Sequence, residues 1–189
     1  MSDIKIVNDL GPGKCFTSEN ELYTVLDIQH NKTAMRQMIV KIKVKNLRSG
    51  VVKEISFTGG DKVQMIYLDK RKMNYLYDDG SFLVFMDNET YEQVSIPKER
   101  LTWEMNFIKD GCEATITTYE GEIMGVELPT KVALTVTDTE DAVKGDTVNK
   151  AMKDATLETG YVVRVPLFVK NGTEIWVRTD TGEYDSRVN

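Results

Sequence analysis

Lys153-Asp154-Ala155-Thr156-Leu157-Glu158-Thr159-Gly160-Tyr161-Val162-Val163-Arg164-Val165-Pro166-Leu167-Phe168-Val169-Lys170-Asn171-Gly172 decides the reading of this 189-residue chain. From Val162 the residues alternate. Val163, Val165 and Leu167 point one way and Val162, Arg164 and Pro166 the other, as in a half-buried strand. Pro166 lacks an N–H for the ladder, so the strand belongs at a sheet edge or the proline at a bulge. Asn171-Gly172 then reads as a turn.

The same grammar runs through the rest of the chain. Leu22 to Ile28 is a strand candidate. Met38 to Lys45 is another, with Val40, Ile42 and Val44 facing inward and Lys41, Lys43 and Lys45 outward. Gly11-Pro12-Gly13, Arg48-Ser49-Gly50, Gly59-Gly60, Asp78-Asp79-Gly80 and Tyr119-Glu120-Gly121 punctuate these segments as turns. Short strands so spaced, rich in β-branched and aromatic residues, predict an all-β protein of small barrels. One helix is expected, over Pro97–Asp110. Leu101, Met105 and Ile108 form an apolar stripe there, widened by Trp103 and Phe107, with Gly111 just beyond its end.

Composition shifts suggest three units of about 60 residues, 1–65, 66–130 and 131–189, each near the lower limit for an independent core. The first two are expected to pack together, and the third to follow a short linker near Pro129-Thr130-Lys131.

A hydrophobic content of 41% with 29% charged residues describes an ordinary soluble globular chain. No apolar run reaches the roughly 18 residues of a membrane span, and Met1-Ser2-Asp3-Ile4-Lys5 opens no secretory signal. Cys15 and Cys112 are too far apart in sequence for a metal-type pair and read as buried or free thiols. A reducing cytoplasm follows as the expected compartment, with no membrane partner.

The net charge of −6 is unevenly spread, at +3, −7 and −2 over the three units in order. Between Asp27 and Glu54 there is no acid, but Lys32, Arg36, Lys41, Lys43, Lys45, Arg48 and Lys53 all fall there. Such a segment on an acidic chain suits a local phosphate contact. It equally suits a solvated strand face, since edge strands often carry lysine against aggregation. Charge alone leaves both readings open.

Catalytic groups are sparse. His30 is the only histidine and falls in an expected loop beside Asn31-Lys32. Cys15 beside Lys14 reads more simply as a small buried residue than as an activated thiol. Gly11-Pro12-Gly13-Lys14 lacks the spacing and the hydroxyl of a phosphate loop. No carboxylate pair stands out, so neither an enzyme nor a metal or organic cofactor is expected.

The motifs, taken in order, resemble bacterial elongation factor P, in its usual form or as a divergent paralogue. They are Lys45-Asn46-Leu47-Arg48-Ser49-Gly50, Tyr75 to Gly80, Phe85 to Gln93, Gly121 to Pro129, Lys144-Gly145-Asp146-Thr147, the 153–172 stretch, and Tyr184-Asp185-Ser186-Arg187-Val188. The resemblance implies an SH3-like (KOW-like) first domain and two OB folds in an L-shaped mimic of tRNA. It implies a cytoplasmic translation factor, expected to be a monomer, that binds the 70S ribosome and its RNA between the peptidyl and exit tRNA sites. There it would position peptidyl-tRNA and promote peptide-bond formation at consecutive prolines.

Carried over by position, the loop tip near the peptidyl-tRNA acceptor end is Lys32, Thr33, Ala34, Met35 and Arg36. It departs from the family's Lys-Pro-Gly-Lys-Gly pattern, with Met35 at the tip. Methionine has no amine to acylate, which puts in question the modification enzyme that is the family's usual further partner. Lys41, Lys43, Lys45 and Arg48 would meet RNA phosphates. Gly145, Asp146 and Thr147 would approach the exit-site codon, although Glu140-Asp141-Ala142-Val143 replaces the usual Pro-Gly turn before them. Tyr184, Ser186 and Arg187 would meet the small subunit. A different binding class stays open beside this one: a single-stranded RNA module or RNA chaperone stacking bases on Tyr75, Tyr77 and Phe85.

Overall fold

The computed structural model describes residues 3–31, 38–141 and 152–188, where regular structure is strand with three short 3-10 turns. Its first sheet comprises β1 (Ile4–Ile6), β2 (Cys15–Ser18), β3 (Glu21–Asn31), β4 (Ile39–Asn46), β5 (Val52–Thr58) and β6 (Lys62–Ile66). They lie in the order β1-β6-β2-β3-β4-β5. The alternation of β4 works as its residue types dictate, burying Val40, Ile42 and Val44 against Phe16, Tyr23 and Val25 while Lys43 and Lys45 are exposed. The β2–β3 hairpin turns through Glu19 and Asn20 at φ of 51° and 64°, the paired left-handed conformation whose twist matches the strands it joins.

Two expectations change here. His30 is not in a loop; β3 continues through it, with His30 opposite Val40 and Asn31 opposite Ile39. β4 is not an edge strand, since β3 and β5 flank it on both sides. Its lysines therefore have no exposed ladder to protect, and the aggregation-blocking explanation lapses.

The second sheet comprises β7 (Asp69–Asp78), β8 (Phe82–Asp87), β9 (Gln93–Pro97), β10 (Glu113–Tyr119) and β11 (Glu122–Glu127), ordered β11-β10-β7-β8-β9. Met73, Leu83, Phe85, Ile96 and Ile116 are buried. The third comprises β12 (Lys131–Thr139), β13 (Met152–Leu157), β14 (Val162–Pro166), β15 (Glu174–Arg178) and β16 (Tyr184–Arg187), ordered β14-β13-β12-β15-β16. β14 is an edge strand, the first of the two places open to Pro166, and buries Val163 and Val165 while exposing Val162 and Arg164.

The helix expected over Pro97–Asp110 is absent. Only Lys98–Arg100 and Glu104–Asn106 make single 3-10 turns, and Leu101 between them has φ −122°. Asn106 donates its side-chain amide to the Trp103 carbonyl at 3.0 Å, an oxygen a continuing helix would use. Thr102, Trp103, Asn106 and Phe107 are all weak helix formers, and tertiary contacts take them instead. Phe107 is fully buried in the third sheet's core beside Val132, Leu134 and Val177. Trp103 donates Nε1–H to the Thr179 carbonyl at 2.8 Å, and its ring lies 6.1 Å from that of Tyr161. Gly182 (φ 74°) closes this aromatic group, because a Cβ there would run into the Tyr161 hydroxyl.

By contacts the chain divides into two compact units. One holds residues 1–70 with 117–125, the other 71–116 with 126–189. The central stretch is thus shared, its 117–125 hairpin grouping with the first sheet and residues 71–116 with the third. Phe107 and Trp103 are the physical reason for the second grouping. The Pro129-Thr130 linker is also tied down, its carbonyls accepting from the Thr179 hydroxyl at 2.6 Å and the Thr179 amide at 3.1 Å.

Candidate nucleic-acid interface

The basic segment separates into residues whose charge is used and residues whose charge is free. On the outer face of β4, Lys41 lies between Gln29 and Ser56, Lys43 between Asp27 and Glu54, and Lys45 between Thr24 and Val52. Lys41 pairs diagonally with Glu54 at 3.1 Å. Asp27 turns its carboxylate to the Ile28 amide at 2.9 Å. Lys43 and Lys45 form no ion pair among the described residues, and both are exposed. Lys53 lies over the Tyr23 ring at 4.9 Å, its pKa raised chiefly by the hydrogen bond to that phenol.

Arg48 is engaged differently. Its guanidinium forks onto Glu122, with Nε 3.1 and 3.2 Å from the two carboxylate oxygens and Nη2 2.9 Å from one of them. That hydrogen bond is the first cause of its raised pKa. Asn46 builds the turn that presents Arg48. Its buried side-chain oxygen accepts from the Arg48 and Ser49 amides at 2.8 Å each, and its amide donates to Glu21 at 2.8 Å. Asn46 and Glu122 escaped the sequence reading. Asn46 three residues before Ser49-Gly50 was a readable signal, whereas nothing local ties Arg48 to a carboxylate 74 residues away.

The expected tip residues Lys32, Thr33, Ala34, Met35 and Arg36 lie outside the described residues, as do Gly145, Asp146 and Thr147. The β3–β4 hairpin leads to the first set, paired up to Asn31 and Ile39.

In the third sheet the tail residues play separate parts. Tyr184 packs against the core. Ser186 donates to Asp185 at 3.1 Å, and Asp185 in turn pairs with Lys131 at 3.3 Å, which lowers the Asp185 pKa. Arg187 is exposed, with its guanidinium 5.1 Å over the ring of Phe168, a residue the sequence reading passed over.

Groups with other potential chemistry are quiet. Cys15 is buried, and burial pushes the Cys112 thiol pKa up. Among the described residues no cluster of three His, Cys, Asp or Glu side chains could hold a metal ion, and no helix is long and apolar enough to cross a membrane. Of the aromatics weighed as stacking residues, Phe85 is fully buried and Tyr75 packs on it at 5.7 Å, leaving only Tyr77 exposed.

Three family models match the chain. The elongation factor P KOW-like domain covers residues 6–63, the elongation factor P OB domain 68–126, and the elongation factor P C-terminal domain 132–187. Curated relatives include elongation factor P of Mesomycoplasma hyopneumoniae strain J, 45% identical over 96% of this chain and 98% of the relative. Elongation factor P of Mycoplasma mycoides subsp. mycoides SC is 48% identical over the same shares. Among solved structures, eukaryotic translation initiation factor 5A from Methanococcus jannaschii matches 67% of this chain and 93% of its own, with TM-score 0.56 and 20% identity. An initiation factor eif-5a family protein from Naegleria fowleri matches 67% and 99%, with TM-score 0.51 and 10% identity. At such identities the likeness concerns the fold alone, over two thirds of this chain.

Proposed function

The chain belongs to the elongation factor P family and is a translation elongation factor; we propose that it binds the ribosome between the peptidyl and exit tRNA sites and promotes peptide-bond formation at consecutive prolines. The observation that carries this reading is the outer face of β4, with two free lysines on the strand that leads to residues 32–36. Proline is a secondary amine with fixed φ, so the peptidyl and aminoacyl ends meet poorly. A factor that holds the peptidyl-tRNA end in place supplies orientation, which can be worth several powers of ten in rate. Bond formation itself stays with ribosomal RNA.

The parts divide accordingly. Residues 1–65 carry the tRNA-facing hairpin, 66–130 the central OB fold and 131–189 the contacts to the exit-site codon and small subunit. Lys43 and Lys45 hold phosphates of ribosomal RNA or peptidyl-site tRNA, and Lys41 does so after releasing Glu54. Arg48 keeps the 117–125 hairpin on the first sheet and contributes least to RNA. Met35 acts without modification, its flexible thioether packing on the terminal nucleotides, while Arg36 engages a phosphate or stacks on a base. Gly145, Asp146 and Thr147 approach the codon. Tyr184 orients the tail, and Ser186 and Arg187 make its contact. The factor works as a cytoplasmic monomer.

The test is ribosome pelleting across a salt series, with a triple-proline reporter beside it. The double change Lys43→Gln, Lys45→Gln should weaken binding and lower the log–log salt slope by about 1–2, and adding Lys41→Gln should cost less than either. Arg36→Ala should lose more reporter rescue than Met35→Ala or Lys32→Ala, and Met35 of the native protein should carry no added mass. Unchanged pelleting of the double variant, with its fold intact, would leave the lysine face merely solvated.

A further inference from the structure

Phe168 is a large apolar side chain left 56% exposed on a segment that is otherwise firmly held. Its neighbour Val169 is fully buried in the third core, and the Val169 amide donates to the Pro166 carbonyl at 3.1 Å. Beyond it, Thr173 donates to Lys170 at 3.1 Å and Gly172 to Val136 at 2.8 Å. The ring is outside because a pinned turn puts it there. Exposure alone does not imply an occupant, since Tyr67 and Tyr91 are more exposed still.

The charge around it points to one. Arg187 lies over the ring at 5.1 Å and forms no ion pair among the described residues. Lys170, two positions on, is exposed and likewise unpaired there. Two carboxylates close to Arg187 along the backbone are already engaged, Asp185 by Lys131 at 3.3 Å and Glu174, whose carbonyl accepts from the Val188 amide, by Lys109 at 3.5 Å. The result is an aromatic face, a planar cation stacked on it and a second free cation within the same turn. A nucleotide presents the complementary set, a flat base next to a phosphate.

We propose that Phe168, with Arg187 over one face, is a stacking platform for an unpaired base of RNA, and that Arg187 and Lys170 hold the adjoining phosphates. The proposal rests on the ribosome-binding reading and adds to it a residue, Phe168, and a mode of contact, stacking. It competes with one plainer role. β14 and β16 are the two ends of the third sheet and approach each other, so the Phe168–Arg187 contact could serve only to close that barrel.

The two roles separate by shape. Phe168→Leu keeps apolar bulk at the seam and removes the π face, whereas Phe168→Trp and Phe168→Tyr keep both. Affinity for 70S ribosomes by pelleting and Tm by thermal melt are measured for each full-length variant. Phe168→Leu should bind on the order of tenfold more weakly at unchanged Tm, with Phe168→Trp at or above the parent. Parent-level binding by Phe168→Leu would overturn the platform while leaving the ribosomal reading intact. Failure of the unaltered protein to pellet would overturn that reading itself. Should Phe168→Leu also lower Tm, pelleting is repeated at a temperature where that variant is fully folded: weaker binding there supports stacking, and parent-level binding overturns it.

Discussion

Two segments of the central stretch are each held by one of the compact units, and they are held by different physics. The 117–125 hairpin belongs with the first sheet. Its Glu122 takes the Arg48 fork, and its Met124 shares a small cluster with Cys15, Leu22 and Ile66, where Tyr119 packs at the margin. The 98–111 segment belongs with the third sheet. It gives up Phe107 entirely to that core and adds Trp103 in edge-to-face contact at 5.2 Å from it. The first attachment is an exposed ion pair above a thin apolar patch. The second is a buried aromatic, insensitive to salt. Motion and ionic strength should therefore act on the hairpin before they act on the aromatic insertion.

The largest expected effect is at Phe107. Phe107→Ala leaves a cavity in the third core and should cost about 3–5 kcal/mol. Denaturant unfolding followed by tryptophan fluorescence would read this, since Trp103 and Trp176 both lie in that unit. A loss under about 1 kcal/mol would show that the segment is laid on the core and not built into it, and the contrast with the hairpin would collapse.

These two attachments also mark how far the sequence could be read. Strand β14 was legible because its information is local: period-two valines and a proline without a donor confine it to an edge or a bulge, and the sheet order shows the edge. The lysine row on β4 was legible for the same reason. The 98–111 segment misled because Leu101, Met105 and Ile108 sit at helical spacing, while spacing records only that residues are apolar. Phe107 answers to strands β12 to β15, which lie more than twenty residues further on, and that demand overrides the local pattern. Arg48 was only half legible. Its charge was visible, but its partner was not, so it looked as available for RNA as Lys43 and Lys45. Alternation gives faces and turns; it does not say which charges are already spent.

A smaller effect is expected at the fork. Arg48→Ala should scarcely move Tm, because exposed ion pairs contribute little and are screened by salt. It should instead raise amide exchange in 117–125 at low ionic strength, and the difference from the parent should shrink as salt is added. Ribosome affinity should fall less than in the Lys43→Gln, Lys45→Gln variant. Equal or greater loss of affinity from Arg48→Ala would move Arg48 back among the RNA contacts and make the hairpin attachment incidental.

The smallest effect is an acid-sensitive one at the start of the 98–111 segment. Lys98 pairs with Asp78 at 2.6 Å, and the Gly80 amide donates to the same carboxyl at 2.7 Å. The lysine hydrogen bond, followed by that amide, lowers the Asp78 pKa from its ordinary 3.8. A depressed carboxyl contributes stability that is full above the unfolded value and is lost as pH falls through the folded one. The pair therefore holds the first turn at neutral pH and releases it only below about pH 4. Because Asp78 is exposed, the contribution is small, and Phe107 stays buried whatever its charge. Asp78→Asn should flatten the acid limb of the stability curve slightly below pH 4 and leave the Trp103 fluorescence of the folded state unchanged. If acid instead shifted that fluorescence in the parent and Asp78→Asn abolished the shift, the aromatic insertion would depend on the ion pair, and the two attachments would be electrostatic alike.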